Sequence, residues 1–248
     1  YWCLLILTLA TTVGLQGWRT LFNNFAVDVA GLNGLHIGVI QSVREMPGFL
    51  ALCAVFLIMF IKEHHLSALS VIIMGFGVAL TGFLPTFSGL ILTTLIMSFG
   101  FHYYETTNQS LILQNFDEYQ SPLVMGNQRS LMSLTAIIIG VSILFLSYFL
   151  SYKIMFIVLG TIVFFAGLWG LFNPPIQSAE KAQSKKMVLR KKYSLFYLLT
   201  LLSGARRQIF MVFSIFLLVQ KFGFAIQQVT LLFILNNIIK LRRQLILI

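Results

Sequence analysis

The chain has 248 residues, of which 58% are hydrophobic and only 10% charged, with a formal net charge of +10. Soluble domains carry about a quarter of their residues as charges, so this composition excludes that class. The apolar runs are continuous and do not alternate with polar residues, which excludes a β-barrel.

In lipid the backbone must satisfy its own hydrogen bonds, so each apolar run of about 18 residues or more reads as a spanning helix. The first span covers Trp2 to Val27. The chain opens inside it without Met or a basic flank, and no small-residue cleavage site follows Gly14, so it reads as a transmembrane helix lacking its flank rather than a signal peptide. Asp28 to Gly34 is a short loop with two glycines. The second span runs from Leu35 to Ile61, and a polar turn, Lys62-Glu63-His64-His65, follows it. The third is Leu66 to Leu84, closed by Pro85-Thr86-Phe87-Ser88. The fourth is Gly89 to Gln114, polar in its second half, and Asp117 to Asn127 is the next loop. The fifth runs from Gln128 to Leu150, and the sixth from Ile154 to Phe172.

Asn173 to Lys192 is the one long polar segment. It starts with Pro174-Pro175, which cannot continue a helix, and carries Lys181, Lys185, Lys186, Arg190, Lys191 and Lys192. The seventh span is Tyr193 to Gln220. The eighth starts near Gln227 and reads as ending early, at Lys240-Leu241-Arg242-Arg243. The ranges 1-172, 173-192 and 193-248 are therefore expected to be a six-helix bundle, a basic linker and the start of a second bundle, in an all-α membrane protein of about eight spans. Both ends read as truncated, so a fragment unable to transport is one expectation.

Loop charges set the orientation. One set of alternate loops holds Lys62, Arg129, the basic linker and Lys240, Arg242 and Arg243. The other holds only Lys153 and Lys221. The positive-inside rule places the chain start and the linker in the cytoplasm. Topology thus accounts for the basic balance, and no nucleic-acid partner is expected. Cys3 and Cys53 fall in spans and read as unpaired packing residues. No metal-ligand spacing occurs and no cofactor is expected; His64-His65 reads as an interfacial pair.

Charges within spans are unfavourable unless they face a cavity or each other. In the first span Thr12, Gln16, Arg19 and Asn23 recur at helical spacing on one face. In the fourth, Ser98, His102, Glu105 and Gln109 do the same. In the second, Gln41, Arg44 and Gly48 form a stripe with Glu45 about 100° round from it. In the seventh, Ser203 and Arg207 are one turn apart. Arranged about one axis, these stripes would line a wet cavity. Arg129 reads as interfacial, at a helix entrance. Arg44 and Glu45 could equally tie helices together, and His102 could be a packing histidine. Pro47-Gly48 predicts a bend in the second span.

Six spans, a basic linker and further spans resemble the major facilitator superfamily. The run Gly38-Val39-Ile40-Gln41-Ser42-Val43-Arg44-Glu45-Met46-Pro47-Gly48-Phe49-Leu50 resembles the start of helix 2 in bacterial members. The family's signature between helices 2 and 3 is degenerate here, where only Lys62 and Glu63 can stand for its charge network. Ile139-Gly140-Val141-Ser142 has no Gly-Pro antiporter motif.

The resemblance implies a monomeric secondary transporter in the bacterial inner membrane, working by alternating access on a small solute. The cationic stripes suggest an anionic or zwitterionic substrate bound by Arg19, Asn23, Gln41, Arg44, His102, Gln109 and Arg207. A carboxylate in a low-dielectric cavity can carry a proton. Glu105 is the first candidate for proton coupling and Glu45 the second, with Lys62 and Glu63 forming the gating loop. No enzymatic activity is expected. An integral-membrane enzyme or sensor is the other class, but no acidic metal motif, Ser/His/Asp arrangement or soluble output domain supports it.

Overall fold

A computed structural model describes residues 2–173 and 190–246, with all their side chains except those at 52, 55, 59, 196, 200, 201, 203–212 and 240–246. The described chain is all-α. The helices are α1 (Trp2–Asp28), α2 (Gly34–Leu50), α3 (Ala54–Phe60), α4 (Glu63–Thr81), α5 (Phe87–Asn115), α6 (Gln120–Leu146), α7 (Tyr152–Phe172), α8 (Ser194–Phe222) and α9 (Ile226–Ile246). Short 3₁₀ turns at Ala51–Cys53 and Lys191–Tyr193 precede α3 and α8.

Helices α4, α6 and α7 are long and apolar enough to cross a bilayer. Helices α1, α5 and α8 are as long or longer, and at 1.5 Å per residue each exceeds the hydrocarbon thickness. Polar residues within α1 and α5 are buried: Thr11, Thr12, Asn23 and Asn24 on α1, and Thr93, Thr94, Ser98 and Asn108 on α5. Large apolar side chains instead cover the outside, among them Leu35, Phe60, Phe76, Phe145, Phe165 and Phe172. That arrangement, polar within and apolar without, is the one a bilayer imposes on a multi-pass protein.

Local chemistry sets the helix ends. Asn33 Oδ1 accepts from the His36 amide at 3.1 Å, capping α2, and His36 Nδ1 accepts from the Asn33 amide. Thr86 Oγ1 accepts from the Gly89 amide and caps α5. Gly223 ends α8 at φ 64°, a left-handed conformation that glycine adopts without strain.

The inner packing centres on α4, which lies along α5 on one side and α7 on the other. A Cβ on Gly75 would meet the Phe164 amide nitrogen and, at 2.7 Å, the Gly160 carbonyl oxygen. A Cβ on Gly100 would meet the Ser70 carbonyl and the Met74 amide. Small residues here bring backbone against backbone, the main route to tight packing in lipid. Trp18 stacks on Phe22 at 4.3 Å in α1, and Phe25 meets Phe156 of α7 edge-on at 5.2 Å. Helix α9 packs mainly on α6, and α8 touches α1 and α2. Phe216 of α8 lies over Gly34 of α2.

Several boundaries depart from the sequence reading. The second span is not one helix: α2 passes Pro47 and tightens into a 3₁₀ turn at Ala51–Cys53 before α3. The break falls four residues after the proline. Cys53 is exposed there rather than packed inside, whereas Cys3 is buried; both are free thiols. Helix α6 starts at Gln120, well before the expected Gln128. Asp117 Oδ1 accepts from the Tyr119 and Gln120 amides, and Pro122 sits in the first turn, where its missing N–H is no loss. Helix α9 does not stop at Lys240 but continues to Ile246, making 21 residues. Residues 174–189 of the expected linker lie outside the described residues, as do the side chains of Lys240, Arg242 and Arg243.

Candidate functional site

A cavity of about 200 Å³ lies among α1, α5, α6 and α9. Its lining includes Gln16 and Arg19 from α1, Phe101 from α5, Arg129 and Ser133 from α6, and Asn237 from α9. Each of these residues lies near the middle of its helix. Phe101 and Ser133 are the midpoints of α5 and α6, Leu15 is the midpoint of α1, and Asn237 adjoins that of α9. The cavity therefore lies among helix midpoints rather than at helix ends.

The α1 stripe read from the sequence is only partly at this cavity. Thr12, Gln16 and Arg19 line it; Asn23 is buried one turn further along. Thr11 lines it as well, with Thr11 and Thr12 donating back to carbonyls of their own helix.

A second polar group sits where α2 packs on α5. Arg44 is 5% exposed, and its Nη2 and Nε bond Glu45 Oε1 at 2.7 and 3.0 Å. The Arg44 guanidinium also lies 5.8 Å from the Trp18 ring centre. Ser98 Oγ donates to the Arg44 carbonyl. His102 packs on Gly48, the residue after Pro47, and it is within electrostatic reach of Glu45, Arg44 and Arg19. The absent Cβ at Gly48 is what admits the imidazole. Tyr103 completes the junction by donating to the Leu50 carbonyl, at the end of α2, at 2.9 Å. Gln41 is buried on the same helix, its Oε1 without a protein hydrogen-bond partner.

The structure thus brings Arg44, Glu45 and His102 together, with Arg19 in range. Glu105 and Gln109, further along α5, are exposed. Arg207 lies outside the described side chains, as do Ser203 and Arg206. Lys62 is exposed at the N-cap of α4, while Glu63 turns inward. The Glu63 carboxylate, 7% exposed, accepts from Ser110 Oγ at 2.8 Å and from Gln114 Nε2. The two loop residues therefore have unlike environments: one is in solvent, and the other fastens α4 to α5. Among the described residues no group of three or more His, Cys, Asp or Glu could hold a metal.

Arg129 is the residue the sequence reading misplaced. With α6 starting at Gln120 it lies nine residues inside the helix and lines the cavity. The available signal was its spacing: Arg129, Ser133 and Ala136 recur at four and three residues, as one face requires. Asn237 was also missed, because α9 was expected to stop close after it.

At the helix ends nearest Asp28, a separate cavity of about 290 Å³ lies between the end of α1, the α6–α7 turn and the start of α9. Hydrogen bonds cross this region. Asn24 Nδ2 donates to the Phe224 carbonyl at 3.0 Å, Gln227 Nε2 donates to Ser147 Oγ at 3.2 Å, and the Tyr152 hydroxyl bonds Asp28 Oδ2 at 3.0 Å. The α8–α9 turn is thereby tied to α1 and α6 at this end.

No protein-family model matches the chain, and no curated protein matches it. Solved structures do. The chain is similar to the crystal structure of the nucleoside transporter NupG, with a TM-score of 0.71 and 18% identity over 97% of this chain. It is similarly close to a mutant of that transporter, with a TM-score of 0.73 and 17% identity over 95% of this chain. It spans 67% and 64% of those two chains. At this identity the likeness concerns the fold: the chain is an α-helical, multi-pass membrane protein with the fold of a membrane transporter.

Proposed function

We propose that this chain belongs to a secondary active transporter of the major facilitator type, moving a small anionic or zwitterionic solute by alternating access. The observation that carries the proposal is the polar cavity among helix midpoints, whose walls come from α1, α5 and α6 on one side and α9 on the other. A site built at mid-depth between two groups of helices is what rocking of one group against the other requires. The ties among Asn24, Phe224, Ser147 and Gln227 support a state closed at the Asp28 end. The fold shared with transporters supports transport rather than catalysis at the coarse level.

Within this reading, residues 1-172 form the first bundle, 173-192 the linker and 193-248 the beginning of the second. The protein works as a monomer in the inner membrane, with the linker in the cytoplasm, as the loop charges favour. Arg19 meets the solute in the cavity, Gln41, Arg44 and His102 act on it from the adjoining polar group, Asn23 supports Arg19 from one turn away, and Gln109 and Arg207 complete the binding residues read from the sequence. Glu105 carries the coupled proton, with Glu45 second, and Lys62 and Glu63 act at the gate.

The test is uptake into proteoliposomes holding the purified protein, with a panel of labelled metabolites and an imposed pH gradient. Accumulation of one solute that collapses with a protonophore is the expected result. A Glu105→Gln variant should lose the response to the gradient; if it keeps full proton-coupled uptake, Glu105 is not the coupling group. If no solute accumulates, the transport reading fails.

A further inference from the structure

We propose that the α8–α9 turn is a reversible latch, held on α1 by Asn24 and on the end of α6 by Gln227, whose release opens the Asp28 end of the bundle. The proposal rests on the transport reading above and names the contact that breaks when this end opens. The turn is a preformed unit. The Gly223 amide donates to the Val219 carbonyl, the Phe224 amide to the Leu218 carbonyl and the Ala225 amide to Gln228 Oε1. These bonds lie within α8, the turn and α9, so they survive when the turn lifts. Two hydrogen bonds cross to the rest of the bundle: Asn24 Nδ2 to the Phe224 carbonyl at 3.0 Å, and Gln227 Nε2 to Ser147 Oγ at 3.2 Å. Among the described residues no ion pair joins the turn to α1 or α6. Val27 of α1 packs against the cluster of Val219, Val229 and Phe233. Beside these contacts, a cavity of about 290 Å³ lies between Ala225 and Ile226 on one side and Tyr152 and Met155 on the other.

The chemistry of Asn24 suits a contact made to break. Its side chain is 1% exposed, and its Oδ1 is buried without a hydrogen-bond partner. An unmet buried acceptor costs at least as much as one hydrogen bond contributes, so the closed state draws little net stability from this residue. Asp28, one turn further along α1, is exposed, so a small displacement of the turn brings water to both ends of the amide. Asn24 is thus better satisfied open than closed, while its one bond fixes where the Phe224 carbonyl, and the turn with it, sits in the closed state. A leucine of similar size would do the reverse: it loses the bond but prefers the sealed interface.

The test measures opening of this end in the purified full chain in detergent, as the rate at which a bulky maleimide modifies a single cysteine. Cys3→Ala and Cys53→Ser remove the native thiols. Met155→Cys places the reporter in the cavity beside the turn, where the native side chain is 4% exposed, and Met74→Cys is the control, within α4 at 0%. The Met155→Cys reporter is expected to react faster than the control. Asn24→Asp sets a carboxylate against the Phe224 carbonyl oxygen and should speed the reporter about tenfold or more. Asn24→Leu should slow it about threefold, as burial of the larger apolar side chain outweighs the lost bond. Gln227→Ala, which removes one partly exposed bond, should speed it about twofold. The control rate should stay the same throughout. Ile226→Cys, on the turn side of the same cavity, repeats the measurement should Met155→Cys not fold.

Equal rates at the reporter and the control with Asn24 intact, no acceleration by Asn24→Asp, acceleration of the control to the same extent, or an Asn24→Leu variant as fast as Asn24→Asp each overturns the latch. Failure of the transport reading shows differently: the two Asn24 variants shift the reporter in opposite directions, yet no solute enters proteoliposomes.

Discussion

The packing of α4 against α5 and α7 differs in kind from the packing of α6 against α9. Around α4, glycines 75, 77, 100 and 160 let one backbone press on another, and a Cβ at any of them would meet main-chain atoms. Between α6 and α9 the comparable position is Gly140, where a Cβ would lie 2.7 Å from Ile234 Cγ1 and 3.9 Å from Thr230 Cγ2, both side-chain atoms. Backbone contacts cannot yield without moving whole helices, whereas an isoleucine can change rotamer. The first seam is therefore built to stay shut and the second tolerates sliding. The polar cavity opens beside the second seam.

The comparison can be broken most sharply at its rigid side. Gly75→Leu, or Gly160→Leu, is expected to destabilise by about 3 kcal/mol or more, as forced overpacking without relief does. The measurement is the unfolding midpoint in detergent, together with loss of the monodisperse peak; an unchanged midpoint would remove the distinction. Next in size is Arg44→Ala. It removes the ion pair with Glu45, and breaking a fully buried pair is worth about 3–5 kcal/mol. Here Glu45 is 32% exposed, so a loss nearer 2 kcal/mol is expected. Arg44→Gln combined with Glu45→Gln should recover part of it in a double-mutant cycle. Full additivity would mean that the pair contributes nothing as a pair.

At the compliant seam, Gly140→Leu should destabilise by only about 1 kcal/mol, because Ile234 can give way. It should nevertheless raise proteolysis at the α8–α9 turn, by wedging α9 off α6. Equal losses for Gly140→Leu and Gly75→Leu would show the two seams to be mechanically alike. The smallest effect belongs to Tyr152→Phe, which removes the hydroxyl bonded to Asp28. About 0.5 kcal/mol is expected from one partly exposed hydrogen bond, read as a slight fall in the unfolding midpoint. A larger loss would make the Asp28 end a principal clamp rather than a light one.

The sequence by itself determined the class. Apolar length against bilayer thickness, and the requirement that backbone bonds close within a segment, leave no other choice for runs such as Ile154 to Phe172. Helical spacing also sufficed to put Thr12, Gln16 and Arg19 on one face. Tertiary structure alone decided which faces meet. Nothing in the spacing of α2 says that Arg44 turns to its neighbour Glu45, or that the missing Cβ at Gly48 receives His102 from α5. Arg129 was misread because Pro122, Gly126 and Asn127 mimic a loop in sequence, while Asp117 caps the preceding turn and lets α6 begin earlier. Glu63 was legible as a loop charge but not as a buried tie, since its partners Ser110 and Gln114 stand about fifty residues away. Periodicity fixes the angle of a side chain about its own helix axis; what lies opposite is set by how the helices pack.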